Sequence, residues 1–264
     1  MKVIDCFIFY NELDMLELRL TELNDIVDFF VLVECTKTHS NDDKELYFEN
    51  NKGRFSKYLD KIVHIIVKDN IPQTCSFDRE IYQRNCIDDG IKKLNLNSED
   101  ILIITDLDEI PDSKTVLDLK NNNAINGIYY LEMDLYYYNI TCIYHKKWLQ
   151  PKILNYDSYI KYDMKPHALT HGGGNFPIIK NGGWHFSYFG DIEFMKNKMK
   201  NGSSHNLFDN MKNLYDNDRI TKQIRNCSDF LERPTDPFGY IDINNNTYLP
   251  HKYEQFKDFL NIKI

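Results

Sequence analysis

The run Ile101-Leu102-Ile103-Ile104-Thr105-Asp106-Leu107-Asp108-Glu109-Ile110-Pro111 constrains this chain more than any other stretch. Four consecutive aliphatic residues after Asp100 read as a strand buried on both faces, the kind that lies inside a parallel sheet. Acids crowd its carboxyl end, and Pro111 stops it, because proline has no N–H for a sheet ladder. In an extended segment residues i and i+2 point to one side, so Asp106 and Asp108 can present both carboxylates to one cation. Hard divalent ions such as Mg²⁺ and Mn²⁺ favour such oxygens and keep coordination positions for phosphate. The competing reading is a solvated acidic turn whose Asp residues cap a helix. Against it, three acids beside a buried strand repel one another unless a cation or hydrogen bonds compensate.

The residues before this stretch read as a parallel α/β sheet. Val3–Phe9 is a first strand, and Asn11-Glu12-Leu13-Asp14 a helix start with Asn11 as N-cap. Leu13, Leu16, Leu20 and Leu23 follow as one apolar stripe. Phe29 to Val33 is a second buried strand ending in Glu34, and Lys61 to Val67 a third, which completes a βαβ pattern. Ligands in such sheets bind beyond the carboxyl ends of strands, where Asn11, Glu12, Glu34 and Asp106 gather. Glu34 reads either as a contact to a nucleotide base or ribose or as a solvated strand end. A helix from Asp78 to Leu94 carries Arg84 and Asn85, which could reach a pyrophosphate or a base. Arg offers a planar fork of donors suited to phosphate, although most helix-borne Arg residues are surface or ion-paired.

A chain of 264 residues fits one large domain, with 1–111 as a nucleotide half and 112–264 as an acceptor half. Hydrophobic residues at 42% supply a proper core. The net charge of -8 argues against nucleic acid or an anionic membrane as partner. Six scattered Cys without C-x-x-C spacing indicate neither a zinc site nor a compact disulfide framework. No apolar run approaches the roughly 18 residues of a membrane span, and no signal-peptide pattern opens the chain. The expectation is therefore no integral membrane segment, a cytoplasmic location, and unused sequons at Asn139, Asn201, Asn226 and Asn245.

The second half is richer in aromatics and Gly. Asp112 to Lys120 reads as a short helix, Gly127 to Ile140 as strand-rich, and His171-Gly172-Gly173-Gly174-Asn175 as a mobile loop. In Gly182-Gly183-Trp184-His185-Phe186-Ser187-Tyr188-Phe189-Gly190-Asp191, two glycines let a backbone approach a ligand, and Trp184 can form a stacking wall. Gly190-Asp191 reads as a turn with an N-cap. Glu193 then sits in the first helical turn, where the dipole favours the ionised form that a general base requires.

In order along nearly the whole chain, Phe9-Tyr10-Asn11-Glu12-Leu13-Asp14, Val33-Glu34, Gln83-Arg84-Asn85, Asp106 to Pro111, Gly182 to Gly190 and Leu249-Pro250 resemble glycosyltransferase family 17. The resemblance implies a GT-A fold, a UDP-sugar donor, a glycan or small sugar acceptor, and inversion at the anomeric carbon. GlcNAc as the transferred sugar also rests on it alone. Asp106 and Asp108 would hold Mn²⁺ or Mg²⁺ against the donor diphosphate, Asp108 more directly. Glu12, Glu34, Arg84 and Asn85 would form the nucleotide pocket. By analogy with other GT-A enzymes His205 would join the metal, while His185 beside Trp184 would line the sugar site, though the residues do not choose between the two imidazoles. An inverting transfer needs a base for the attacking hydroxyl, and Glu193 is chosen over Asp191, better explained as an N-cap, with Asp134 in reserve. The chain departs from the animal members in lacking their membrane anchor, and Lys200 to His205 matches the family only loosely. Two rivals are a sugar-binding protein that kept the fold without catalysis, and a phosphatase of the haloacid-dehalogenase type, whose nucleophilic Asp normally lies near the N-terminus.

Overall fold

The computed structural model describes residues 1–203, 213–229 and 237–262. The first half runs β1 (Val3–Phe9), α1 (Leu13–Leu23), β2 (Phe29–Cys35), α2 (Tyr47–Asn50), β3 (Ile62–Val67), α3 (Ser76–Asn85), α4 (Ile87–Ile91), β4 (Ile101–Ile104) and β5 (Glu109–Pro111). The second runs α5 (Ser113–Asn121), β6 (Ile128–Tyr137), β7 (Cys142–Trp148), β8 (Lys152–Asn155), α6 (Tyr156–Tyr162), α7 (Pro166–His171), β9 (Ile178–Ser187), α8 (Ile192–Asn201), α9 (Asn217–Arg225), β10 (Phe238–Tyr240) and α10 (Tyr253–Leu260).

One sheet carries strands of both halves in the order β10-β7-β6-β8-β4-β1-β2-β3, with β9 joining β6 to β5. The stretch β3-β2-β1-β4 is parallel throughout. Its strands alternate side chains into two apolar clusters, Val3, Phe7 and Ile103 on one face and Ile4, Cys6 and Ile104 on the other. Burial on both faces is why these segments read as unbroken aliphatic runs. β8 then pairs antiparallel with β4, and β6 antiparallel with β8. The fold is thus a mixed α/β sheet flanked by helices, parallel where the chain begins.

Several local expectations change. Glu12, not Asn11, occupies the N-cap of α1, and no side chain caps it. The helix expected over Asp78 to Leu94 breaks at Cys86 into α3 and α4. Gly90 lets α4 lie directly against β2, since a Cβ there would meet Val31 Cγ1 at 2.3 Å. β4 ends at Ile104, which leaves Asp106 and Asp108 in the turn before β5 rather than on one face of a strand. Pro111 closes β5 opposite Gly183.

What holds that turn is Arg19 of α1, fully buried. Its Nε and Nη2 donate to the two oxygens of Asp5 at 2.8 and 2.6 Å, and Nη2 also donates to Thr105 Oγ1 at 2.6 Å. Nη1 donates to the carbonyls of Asp106, Leu107 and Glu109 at 2.6, 3.1 and 2.9 Å. The guanidinium lies 4.5 Å from the Phe7 ring centroid. A turn between two buried strands has carbonyls that no ladder satisfies, and one planar cation with five donors satisfies three of them.

A disulfide joins Cys142 of β7 to Cys227 after α9 across 85 residues, a single bridge and not a compact framework. Spacing in the sequence says nothing about pairs that meet through a sheet edge. No helix among the described residues is long and apolar enough to cross a membrane.

Two measurements check these features. Arg19→Lys keeps the charge but not the fork, and should lower unfolding free energy in urea by about 1–3 kcal/mol, as for buried acceptors left without donors. Thiol titration of the denatured, unreduced protein should find Cys6, Cys35, Cys75 and Cys86 free, and reduction should release the other pair.

Candidate active site

A cavity of about 220 Å³ opens at the carboxyl ends of β1, β2 and β4. Tyr10 and Glu12 follow β1, Lys37 to His39 follow β2, and Asp106 to Asp108 follow β4. α3 supplies Glu80, Gln83 and Arg84, and α8 supplies Lys198 and Asn201. A second cavity, of about 370 Å³, lies between the start of α1 and the segment Phe186 to Phe194. The two share Glu12, Asp108 and Lys198.

Each acid of the turn has its own protein cation. Arg84, 2% exposed, holds Asp106 Oδ1 in a short charged hydrogen bond and donates to Glu80 Oε1 at 2.9 Å. Lys198 Nζ lies 2.7 Å from Asp108 Oδ2 and 3.0 Å from Glu12 Oε1, so it bridges the acids at the junction of the cavities. His185 Nε2 lies 3.6 Å from Asp108 Oδ1. Burial pushes the Asp108 carboxyl up, but Lys198 and then His185 more than reverse this and hold it well below the usual carboxylate range. The same pairing raises Lys198 against its own burial. Glu80 is likewise raised by burial yet brought down to about 2, chiefly by Arg84. Glu109 goes the other way: burial and the neighbouring Asp106 raise it. Its oxygens accept from Asp106 N at 2.8 Å and Trp148 Nε1 at 2.5 Å, so it braces the turn rather than entering the cavity.

The other candidates separate. Glu12, Arg84, Asp106 and Asp108 come together at the first cavity. Glu34 does not reach it: the carboxylate is fully buried, accepting from Phe48 N at 3.0 Å and facing His64 Nε2 at 3.1 Å. It acts on the cavity only through Lys44, which lines the space and lies 3.6 Å from Glu34 Oε1. Asn85 turns away to accept from His167 N at 3.1 Å, docking α7 on α3. Trp184 offers no stacking face, since it is fully buried, packs on Tyr248 and donates to that residue's carbonyl at 3.1 Å. Gly182 and Gly183 serve the sheet instead of a ligand: a Cβ at Gly183, where φ is +142°, would meet Ile110 O at 2.1 Å, and one at Gly182 would meet Leu131 at 2.8 Å. They let β9 pass between β5 and β6.

Asp191 caps α8 as expected, Oδ1 accepting from Phe194 N at 2.7 Å, and it also lines the second cavity. Glu193 is 77% exposed beside Lys196 and lines neither cavity. Asp134, on β6, is ion-paired with Lys147 and also lines neither. His205 lies outside the described residues. Lys198 and Arg19 carried no sequence signal: Lys196, Lys198 and Lys200 look alike along α8, and only its packing selects one.

The acidic turn fits a hard divalent ion by its donor set. Asp106, 37% exposed at its side chain, has an Oδ2 without a hydrogen-bond partner among the described residues, and Asp108 faces the same cavity.

Lys198 tests the electrostatics. Replacing it by Met leaves Asp108 buried without its main cation and should cost about 2 kcal/mol, reduced from the fully buried case by partial exposure. The folded carboxyl is depressed, so this contribution is present above the unfolded value near 4 and is lost as pH falls below it. Melting curves should therefore show a gap between wild type and Lys198→Met that is constant from pH 7 to about 5 and narrows in more acidic buffers.

The sequence profile of Glycosyltransferase family 17 matches residues 1–256. Over 126 residues the chain is 34% identical to the β-1,4-mannosyl-glycoprotein 4-β-N-acetylglucosaminyltransferases of Rattus norvegicus and Homo sapiens. That stretch is 45% of this chain and 23% and 24% of the two relatives, about a quarter of their length. A crystal structure of S. aureus TarS 1–349 aligns over 86% of this chain and 71% of that one, at 12% identity and a TM-score of 0.43. With a family match from the first residue to Arg84, the acidic turn and beyond, this chain belongs to glycosyltransferase family 17.

Proposed function

We propose that the protein transfers a sugar, GlcNAc by analogy with its relatives, from a UDP-linked donor to a hydroxyl of a glycan or small sugar, with inversion. The observation that carries this reading is the meeting of two cavities at Glu12, Asp108 and Lys198. A group transfer between two substrates needs two spaces with the reacting bond where they join. Arg84 and Lys198 supply fixed positive charge on the nucleotide side, suited to a diphosphate and to the charge it gains on departure. A Mn²⁺ or Mg²⁺ ion held by Asp106 and Asp108 would add Lewis-acid stabilisation of that leaving group.

For the base, the geometry favours Asp191 over Glu193. Asp191 reaches the second cavity with one oxygen engaged by its cap and the other available, whereas Glu193 faces Lys196 in solvent. In this reading Asp191 takes the proton from the acceptor hydroxyl as the nucleotide leaves on the opposite side.

Screening UDP-sugars with product detection by mass spectrometry tests the activity. Asp108→Asn should lose turnover while remaining folded, and release of phosphate instead of UDP would overturn the reading in favour of a phosphatase. Asp191→Asn keeps a good helix cap, so it should retain UDP binding yet lose transfer by about 10²-fold or more. Normal transfer by Asp191→Asn with loss in Glu193→Gln would return the role to Glu193.

A further inference from the structure

On the α3 side of the nucleotide cavity stands a second set of ligand-type side chains, none of which has a role above except Glu80 as a partner of Arg84. His167 and His171 are four residues apart on α7 and so lie on one helix face, their rings stacked with centroids 4.8 Å apart. α3 sets Glu80 opposite them, with Oε1 3.5 Å from His171 Nε2. One ligand atom from each of the three residues lies within 4.8 Å of the other two.

The surroundings orient these groups. Asn85 Oδ1 accepts from His167 N at 3.1 Å and locks α7 to α3. Thr170 Oγ1 lies 3.0 Å from His171 Nδ1, which leaves Nε2 as the nitrogen facing Glu80. A hydrogen bond on one imidazole nitrogen that aims the other is the usual support of a metal-bound His. His167 Nδ1 is closed to solvent and has no hydrogen-bond partner among the described residues.

We propose that Glu80, His167 and His171 bind a first-row transition-metal ion of the Zn²⁺ class, at a site separate from the acidic turn. Two imidazoles and one carboxylate are the donor set such ions prefer, whereas Mg²⁺ and Ca²⁺ prefer oxygens alone. At bond lengths of ~2.0–2.1 Å a tetrahedral ion separates its ligand atoms by roughly 3.4 Å. The Glu80–His171 spacing is already close to that value, and with all three ligand atoms within 4.8 Å of one another a small shift of the His167 ring completes the set. An ordinary His–carboxylate ion pair accounts for His171 and Glu80 but leaves His167 stacked on its neighbour without purpose. Three protein ligands leave a fourth position open, and of the three Glu80 also lines the cavity. A water or an anionic oxygen would complete the sphere. The site stands on its own residues and does not depend on the donor-sugar reading.

The test is a titration of chelator-stripped full-length protein with Co²⁺, followed by visible absorption, and with Zn²⁺ by calorimetry. Wild type should take up one equivalent of Co²⁺ with the intense band of a low-coordinate, nitrogen-ligated ion, displaced by Zn²⁺. His167→Gln and His171→Gln should lose the band and bind Zn²⁺ at least ten-fold more weakly, and Thr170→Val should weaken it about ten-fold through the orienting bond. Asp108→Asn should leave both signals unchanged. His171 is exposed, so its replacement leaves folding intact and decides the matter if His167→Gln is unstable. Failure of wild type to bind, unchanged binding in His171→Gln, or loss of the band in Asp108→Asn would each overturn the proposal.

Discussion

Everything at the carboxyl edge of the sheet depends on the buried contact between Arg19 and Asp5. β1 contributes the acid, α1 the cation, and the cation's remaining donors reach the carbonyls of the turn that carries Asp106 and Asp108. A buried guanidinium is stable only when its donors are met, and here they are met by a carboxylate, a hydroxyl and three carbonyls. The first βα unit is thus bolted to the acidic turn. The site inherits its rigidity from an interaction that faces no ligand.

From that fixed turn the electrostatics follow. Acids this close in a partly buried setting would repel one another, and the protein answers with Arg84 on Asp106 and Lys198 between Asp108 and Glu12. These cations come from α3 and α8, two helices that both line the cavity. Arg84 and Lys198 set among Glu12, Glu80, Asp106 and Asp108 give a polar pocket whose charges are already paired and oriented. Such preorganisation is what charge stabilisation in a transferase requires, because no protein group need reorganise as charge moves.

The aromatic wealth of the chain serves packing first. Trp184, Phe186 and Tyr136 belong to the core under β6 and β9, and Tyr137, Tyr138 and Cys142 to a separate cluster beneath α8 and α9. Gly182 and Gly183 make that packing possible by letting β9 lie tight between its neighbours. A stretch that reads as a stacking site is therefore part of the sheet's packing. Its glycine-rich composition reflects close strand contact, and the polar residues that line the cavities, Asp191 and Lys198, lie just beyond it.

The parallel sheet, the strand preceding the acidic turn and the gathering of Glu12, Arg84, Asp106 and Asp108 were legible in the chain itself. Short aliphatic runs bounded by turn residues read as buried strands, and strand ends in a βαβ pattern converge on one edge. The capping role of Asp191 was legible for the same reason, being local. What the sequence could not decide were choices among equivalent residues. Glu34 and Glu12 both follow strands, yet one is sealed beneath Lys44 and the other faces both cavities. Glu193 and Asp191 share a helix start, yet only one points to a cavity. Lys198 looks like Lys196, Arg19 like any helical arginine, and Cys142 and Cys227 are 85 positions apart. Local pattern sets the backbone, because propensity and periodicity act over a few residues. Which side chain meets which across the sheet depends on how helices far apart in the chain settle against it, and only the tertiary structure decides that.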